Sequence, residues 1–442
     1  MQALDKNIFK DIVSIIFKEL GKDECLSINL SGEKTHFTRL SQAKIRQTTN
    51  LDQAFMSIDF IKNQKKMNLK IPYRGINEDA ILAISKINDI RKWIDAIPDD
   101  PYLVEPKNNG ESVQESLESL PNELEMLLDV LVNAKDYDLA GVFSSGDLVY
   151  ASTNSLGQFH WFKTRNFYLD YSLYNGNKAV KGLYAGTVWN KGELVASLKD
   201  SAQKLTLMNQ EAKKVPKGEY RVYLAPSAVS EIVGTMSWGG LSMSAHQQGS
   251  GALTDLWKGK KKLSPKFTLT EDFRLGLSPK FNGIGEVSSD SLSLIERGEL
   301  KSFLVSTRTA LEYKLETNFA DESESPRAVS IATGNLKQEN ILNELGTGLY
   351  ISDLHYLNWS DRESARITGM TRYACFWVEN GEIVAPIEDL RFDESLYNIF
   401  GDALVSITEN AHLVPATGSY FQREIGGKKV PGLLLSKFTF TL

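Results

Sequence analysis

The sequence predicts an α+β protein in two parts: an N-terminal domain of helices and antiparallel strands over residues 1–215, and a mostly β domain over residues 216–442. Three observations carry that expectation. Apolar residues recur at every fourth position near the N-terminus, which is the spacing of one helix face. Apolar and polar residues then alternate in several segments, the period of a strand with one buried side. After Pro216-Lys-Gly218 the texture changes to short extended runs separated by glycine turns. A chain of 442 residues also exceeds one ordinary core.

The first helix is read from Leu4, Ile8, Ile12, Ile16 and Leu20, with Gly21 as its stop. Residues 25–31 alternate like a half-buried strand, and Gly32 is expected to turn the chain into a second extended piece through Phe37 and Leu40. A hairpin is expected to join residues 54–61 to residues 67–71. Asn77 is placed as N-cap of a helix carrying Ile81, Ile84, Ile87 and Ile90. Residues 121–134 read as a helix, and residues 139–143 and 148–152 as strands with a turn between them. The aromatic run 159–174 reads as a strand after a turn at Asn154-Ser-Leu-Gly157, and residues 192–208 as a further helix.

In the second domain, strands are expected at residues 220–225, 292–296 and 300–305. A hairpin over 376–384 should turn at Asn380-Gly381, and a last strand over 433–442 should close a sheet. A helix over residues 227–243, opened by Pro226, leaves His246 at its end or just beyond.

Composition excludes several classes. Hydrophobic residues make up 42% and charged residues 24%, inside the range of globular domains. The net charge is −6, with no large basic block, so no footprint for nucleic acid is present. The run Lys258-Gly-Lys-Lys-Lys262 reads as a solvated loop. Two distant cysteines, Cys25 and Cys375, form no disulfide framework, and no leader pattern or long apolar run occurs. The expected place is therefore the cytoplasm, without membrane contact.

The most informative stretch is Met236-Ser-Trp-Gly-Gly-Leu-Ser-Met-Ser-Ala-His-Gln-Gln-Gly-Ser-Gly251. A zinc hydrolase helix needs two imidazoles on one face and a Glu beside the first to take a proton from the metal-bound water. Here only His246 stands. Gln247, an amide, takes the place of the base, and Gly251 offers no ligand.

The order of further segments identifies a resemblance. Arg39, Asn154-Ser-Leu-Gly, Pro216-Lys-Gly-Glu-Tyr with Leu224-Ala-Pro-Ser-Ala-Val, Ile295-Glu-Arg-Gly-Glu-Leu-Lys-Ser-Phe-Leu, Gly346-Thr-Gly-Leu-Tyr and Val378-Glu-Asn-Gly-Glu-Ile-Val-Ala-Pro follow one another as in the TldD/PmbA family, also described as modulators of DNA gyrase. The resemblance covers nearly the whole chain. It implies two kinds of subunit: one with a zinc-bearing His-Glu-x-x-x-His helix and a Cys ligand near the C-terminus, and a TldE or PmbA type that lacks them and pairs with the first. This chain resembles the second kind, since no Cys follows His412. The family implies an ATP-independent peptidase acting on small or unfolded peptides. No metal is then expected in this chain, zinc is expected in the TldD-like partner, and the working unit is a heterodimer or a homodimer with a peptide substrate.

Other candidates carry two readings each. His246 either binds a metal with ligands from elsewhere or is a hydrogen-bonded structural residue. Cys375 with His355 is either a nucleophile and base or, for the thiol, a small buried hydrophobe. Ser242 and Ser244 beside His246 do not make a triad by adjacency. Trp359, Arg362, Arg366, Arg372 and Tyr373 either contact a peptide or partner or form ion pairs within the β-domain. The acidic segment Asp321-Glu-Ser-Glu-Ser-Pro326 reads as a solvated loop. A different class of function stays open beside the subunit role: a stand-alone homodimeric peptide-binding or scaffold protein without hydrolysis. A third, a peptidase with a non-zinc mechanism, requires a reactive Cys375 or serine.

Overall fold

The computed structural model describes residues 3–116 and 120–441. Helix α1 (Lys6–Phe17) is opened by Asp5, whose carboxylate accepts the amide hydrogens of Asn7 and Ile8 at 2.8 and 3.0 Å. It ends earlier than Gly21 suggests. Strand β1 (Glu24–Ser41) then runs straight through Gly32, where the sequence suggested a turn. A Cβ there would stand 2.5 Å from the Leu4 side chain, so the glycine serves close helix-to-sheet packing.

Strands β2 (Lys44–Lys62) and β3 (Lys65–Tyr73) form the expected hairpin. Its turn is only Asn63-Gln64, both left-handed at φ 50° and 58°, with Lys62 opposite Lys65. Helix α2 (Asn77–Arg91) starts on Ile76 rather than on Asn77. The Asp79 carboxylate reaches back to the amides of Arg74 and Ile76 at 2.8 and 3.1 Å, which does the capping work expected of Asn77. Its buried stripe is Ala80, Ala83, Ile87 and Ile90, and Ile81 faces solvent.

Strand β4 (Glu111–Ser116) and helix α3 (Glu123–Ala134), capped by Asn122, precede β5 (Asp138–Asn154), another single strand with no turn at residues 144–147. A Cβ on Gly146 would overlap the Lys34 carbonyl of the neighbouring strand, so this glycine too marks close approach. Strands β6 (Phe159–Asn175) and β7 (Lys178–Gly186) and helix α4 (Lys191–Met208) complete this half.

The first sheet has the order β3-β2-β1-β5-β6-β4, with β7 also on β6. Every pairing is antiparallel except β4 on β6. On one face, α1 and α2 cover Leu26, Ile28, Leu30, Met56, Ile58 and Trp161, and α3 and α4 cover Leu40, Phe143, Leu169 and Tyr171. The opposite face is richer in polar residues, with Leu148 and Phe162 set among them. It is not open to water, because Ser27, Glu33, Thr35, Ser144, Ser152 and His160 are all buried.

That polar face lies against the second half of the chain. Tyr150 and His160 stack on Phe281 at ring distances of 5.8 and 5.2 Å. Arg423 donates its backbone amide to Glu33 at 3.3 Å and its guanidinium to Asn166.

The second half comprises β8 (Gly218–Leu224), α5 (Pro226–Met236), α6 (Met243–Gln247), α7 (Thr254–Trp257), β9 (Leu269–Asp272), β10 (Ser291–Glu296), β11 (Glu299–Leu300), α8 (Thr307–Tyr313) and β12 (Ala328–Ile331). It continues with α9 (Ile341–Leu345), β13 (Gly348–Ile351), β14 (Asp353–Asp361), β15 (Arg366–Arg372), β16 (Phe376–Glu379), β17 (Glu382–Pro386), β18 (Arg391–Ser395), β19 (Leu404–Pro415) and β20 (Gly427–Phe440). A mixed sheet runs β11-β10-β9-β12-β20-β8-β13-β16-β17, and β14, β15, β18 and β19 extend it beside β20. The architecture is α+β.

The expected hairpin at Asn380-Gly381 is present with φ 52° and 84°. The strand expected over 300–305 stops at Leu300, because Leu304 turns away to bond Leu241 and Met243. In the last strand, Leu442 lies outside the described residues. The helix expected over 227–243 ends at Met236: Gly239 is left-handed at φ 83°, and His246 belongs to the separate helix α6.

Candidate functional site

Helix α6 is held at its N-terminus by a buried carboxylate. Ser242 caps it by accepting the amide hydrogen of Ala245 at 3.1 Å. Glu324, almost wholly buried, accepts from the Ser242 hydroxyl and the Ser244 amide, both at 2.7 Å, and from the Ser306 amide at 2.8 Å. Ser306 is the N-cap of α8, so one carboxylate joins the first turns of two helices. This corrects the reading of residues 321–326 as a solvated loop: Glu324 is an internal anchor.

His246 is 4% exposed and its ring stacks on Phe303 with centroids 3.9 Å apart. Nδ1 lies 2.7 Å from the Ser242 carbonyl, and Nε2 lies 3.2 Å from the Leu253 amide nitrogen. A carbonyl only accepts and an amide only donates, so the neutral tautomer with hydrogen on Nδ1 satisfies both. Burial lowers the pKa, since loss of solvent disfavours the imidazolium, and a proton on Nε2 would also face the Leu253 N–H. Gly251 is buried beneath the imidazole, and a Cβ there would overlap the ring. Gln247 places its amide nitrogen 3.8 Å from the Met243 sulfur.

A zinc ion does not fit this arrangement. A metal needs a free imidazole lone pair, and both ring nitrogens are already engaged by the backbone. Among the described residues no group of three or more His, Cys, Asp and Glu side chains is placed to hold a metal ion. The adjacent cleft, of about 540 Å3, is lined by Met243, Trp257, Phe303 and the Lys261-Lys262 pair, and the imidazole lies behind Phe303.

Cys375 is buried, with its sulfur 3.3 Å from the Arg372 carbonyl, and burial pushes its thiol up to about 12. His355 packs instead against Tyr356, with ring centroids 4.0 Å apart and the planes tilted by 58°. The two are not hydrogen-bonded to each other among the described residues, which leaves the thiol without an activating base.

The arginine and aromatic group lies along the β14–β15 hairpin and does not converge. At its tip, Arg362 lies over Trp359, and the Trp359 indole donates to the Trp238 carbonyl at 3.0 Å. Arg366 pairs with Asp393 at 2.7 Å and also bonds its carbonyl, which ties β15 to β18. Arg372 lies over Tyr373 at the far end.

Sequence reading missed a cavity between the two halves. It measures about 180 Å3 and is lined by residues of β1, β2 and β5 and by the loops around residues 103–109, 282–286 and 320–322. Polar residues on the outward phase of β1 and β5 were the available signal.

Comparison with known proteins gives this fold a place. The PmbA/TldA metallopeptidase C-terminal domain matches residues 217–442, half of the chain. The chain belongs to the PmbA/TldD family. Solved structures extend the likeness to nearly the full length. A protein from Thermotoga maritima described as a modulator of DNA gyrase superposes with a TM-score of 0.77 at 15% identity, covering 98% of this chain and 100% of its own. TldE from Thermococcus kodakarensis gives 0.76 at 16%, with the same coverage. A Bacteroides thetaiotaomicron protein, also described as a modulator of DNA gyrase, gives 0.76 at 14%, covering 99% of this chain and 98% of its own. At these identities the likeness concerns the fold. No curated protein matches the chain. Among the described residues no helix of this PmbA/TldD member is long and apolar enough to cross a membrane.

Proposed function

We propose that this chain is a non-catalytic subunit of a TldD/TldE-type zinc metallopeptidase, pairing with a zinc-bearing TldD-like chain to process small or unfolded peptides in the cytoplasm. The observation that carries the reading is the state of His246, whose two nitrogens are both consumed by the backbone. Gly251 supports it, since the second-ligand position has no room for a side chain while the ring lies there. So does Gln247, which cannot return a proton as a carboxylate does. The family match supports the metallopeptidase part of the reading.

Within that reading the chain contributes structure. It completes the dimer, encloses the cavity and helps to shape the path of the peptide. Co-purification tests the pairing: mixed with a family member bearing His-Glu-x-x-x-His, the chain should elute as a stable heterodimer. A homodimer that ignores such a chain counts against it and favours the stand-alone peptide-binding role.

A further inference from the structure

We propose that the cavity between the two halves binds a primary amine with an apolar body, anchored by Asp321. The pocket holds about 180 Å3, room for one medium side chain and its backbone group. Leu103, Val104, Pro106 and Ile284 form an apolar wall. The polar part of the lining is biased towards hydrogen-bond acceptors.

Two facts set that bias. The Asn29 side-chain oxygen is buried without a hydrogen-bond partner, a costly state that a donor from a ligand would relieve. The charged lining sets Asp59, Glu105, Glu286, Asp321 and Glu322 against only Lys66, Lys107 and Arg308, a net negative balance. Arg308 is further neutralised by Asp100, at 2.6 Å, which does not line the pocket. Asp59 is held by Asn68 at 2.7 Å, and Glu286 by Asn282 and Thr307.

Asp321 is different. Its carboxylate has no hydrogen bond or ion pair among the described residues, and it stands close enough to Tyr150 to raise the pKa of that phenol after burial has done so. The lining offers an ammonium group the Asp321 carboxylate and the Asn29 oxygen, and an apolar body Leu103 and Ile284. A carboxylate ligand would meet a net negative lining and an acceptor.

The shared chemistry fits a free amino-acid derivative or the N-terminus of a peptide. Titration calorimetry of the full chain alone, with leucinamide, Leu-Leu-Leu amide and its N-acetylated form, separates them. Binding of leucinamide alone names the small amine as the source, and binding of the free tripeptide as well names a peptide N-terminus. In both cases acetylation and Asp321→Asn should each weaken binding at least tenfold, and Ile284→Trp or Val104→Trp should abolish it in variants whose melting temperature is unchanged. Equal binding of free and acetylated forms, binding that survives the filled cavity, or no binding at millimolar amine overturns the proposal. No partner chain enters this experiment, so its outcome is separable from that of the subunit reading.

Discussion

The His246 imidazole lies over Gly251 so closely that a Cβ at position 251 would overlap the ring. Restoring the metalloprotease letters therefore does not restore the site. Gly251→His alone, or with Gln247→Glu, should cost about 1–3 kcal/mol of stability by overpacking. It should bind no more zinc than the parent, as read by urea unfolding and metal analysis after dialysis. A stoichiometric zinc ion in the double variant would show that the ring is free to turn.

Glu324 should be worth more than an ordinary surface acid, because its removal orphans the Ser242 hydroxyl and the Ser244 and Ser306 amides together. Glu324→Ala is expected to cost about 3–5 kcal/mol, from several charge-assisted bonds lost in a buried setting. Glu324→Gln keeps one acceptor and should fall between. Thermal unfolding of the two variants checks the order.

The pH dependence of His246 follows from its lowered pKa. In the folded chain it resists protonation, and in the unfolded chain it titrates near its ordinary value of about 6.5. The unfolded state thus binds more protons below that value, and the stability due to His246 is complete above it and declines as pH falls. The stability advantage of the parent over His246→Asn should shrink between pH 7 and pH 5. Equal differences at both values would mean that the ring is not held neutral.

Asp353 behaves in the opposite sense, since burial raises its carboxyl from 3.8 to about 6. Stability from this group is present below the unfolded value and lost as pH rises through 6. Asp353→Asn should therefore stabilise the chain at pH 8 relative to pH 4, by about 3 kcal/mol for a shift of about two units. Denaturant midpoints at the two pH values measure it.

Arg366 and Arg362 should separate. Arg366 bonds both the carboxylate and the carbonyl of Asp393 and links two strands, whereas Arg362 is exposed above Trp359. Arg366→Ala is expected to cost about 1 kcal/mol and Arg362→Ala close to nothing. A loss of heterodimer affinity in Arg362→Ala with unchanged melting would mark the hairpin tip as a partner contact.

Much of the first half was legible in the sequence. The spacing of Ile8, Ile12 and Ile16 and the alternation at the start of β1 record one buried face, the aromatic run marks β6, and Asn380-Gly381 is local turn chemistry. What misled were glycines with non-local reasons. Gly32 and Gly146 look like turns because nothing nearby explains them, yet each yields to an atom distant in sequence, Leu4 and Lys34. The polar phase of β1 reads as solvated, and only the second half of the chain, through Phe281 and Arg423, shows that it is buried. The missing zinc ligands were visible as letters. The engagement of His246 by Leu253 and the role of Glu324 were not, since both depend on where a loop returns.

The most direct test of the account is metal content measured with peptide hydrolysis on the purified chain, alone and mixed with a zinc-bearing His-Glu-x-x-x-His family member. The chain alone should hold no zinc and hydrolyse nothing, and the mixture should show zinc-dependent hydrolysis. Zinc bound by this chain together with hydrolysis in isolation would contradict it and place a working site away from His246.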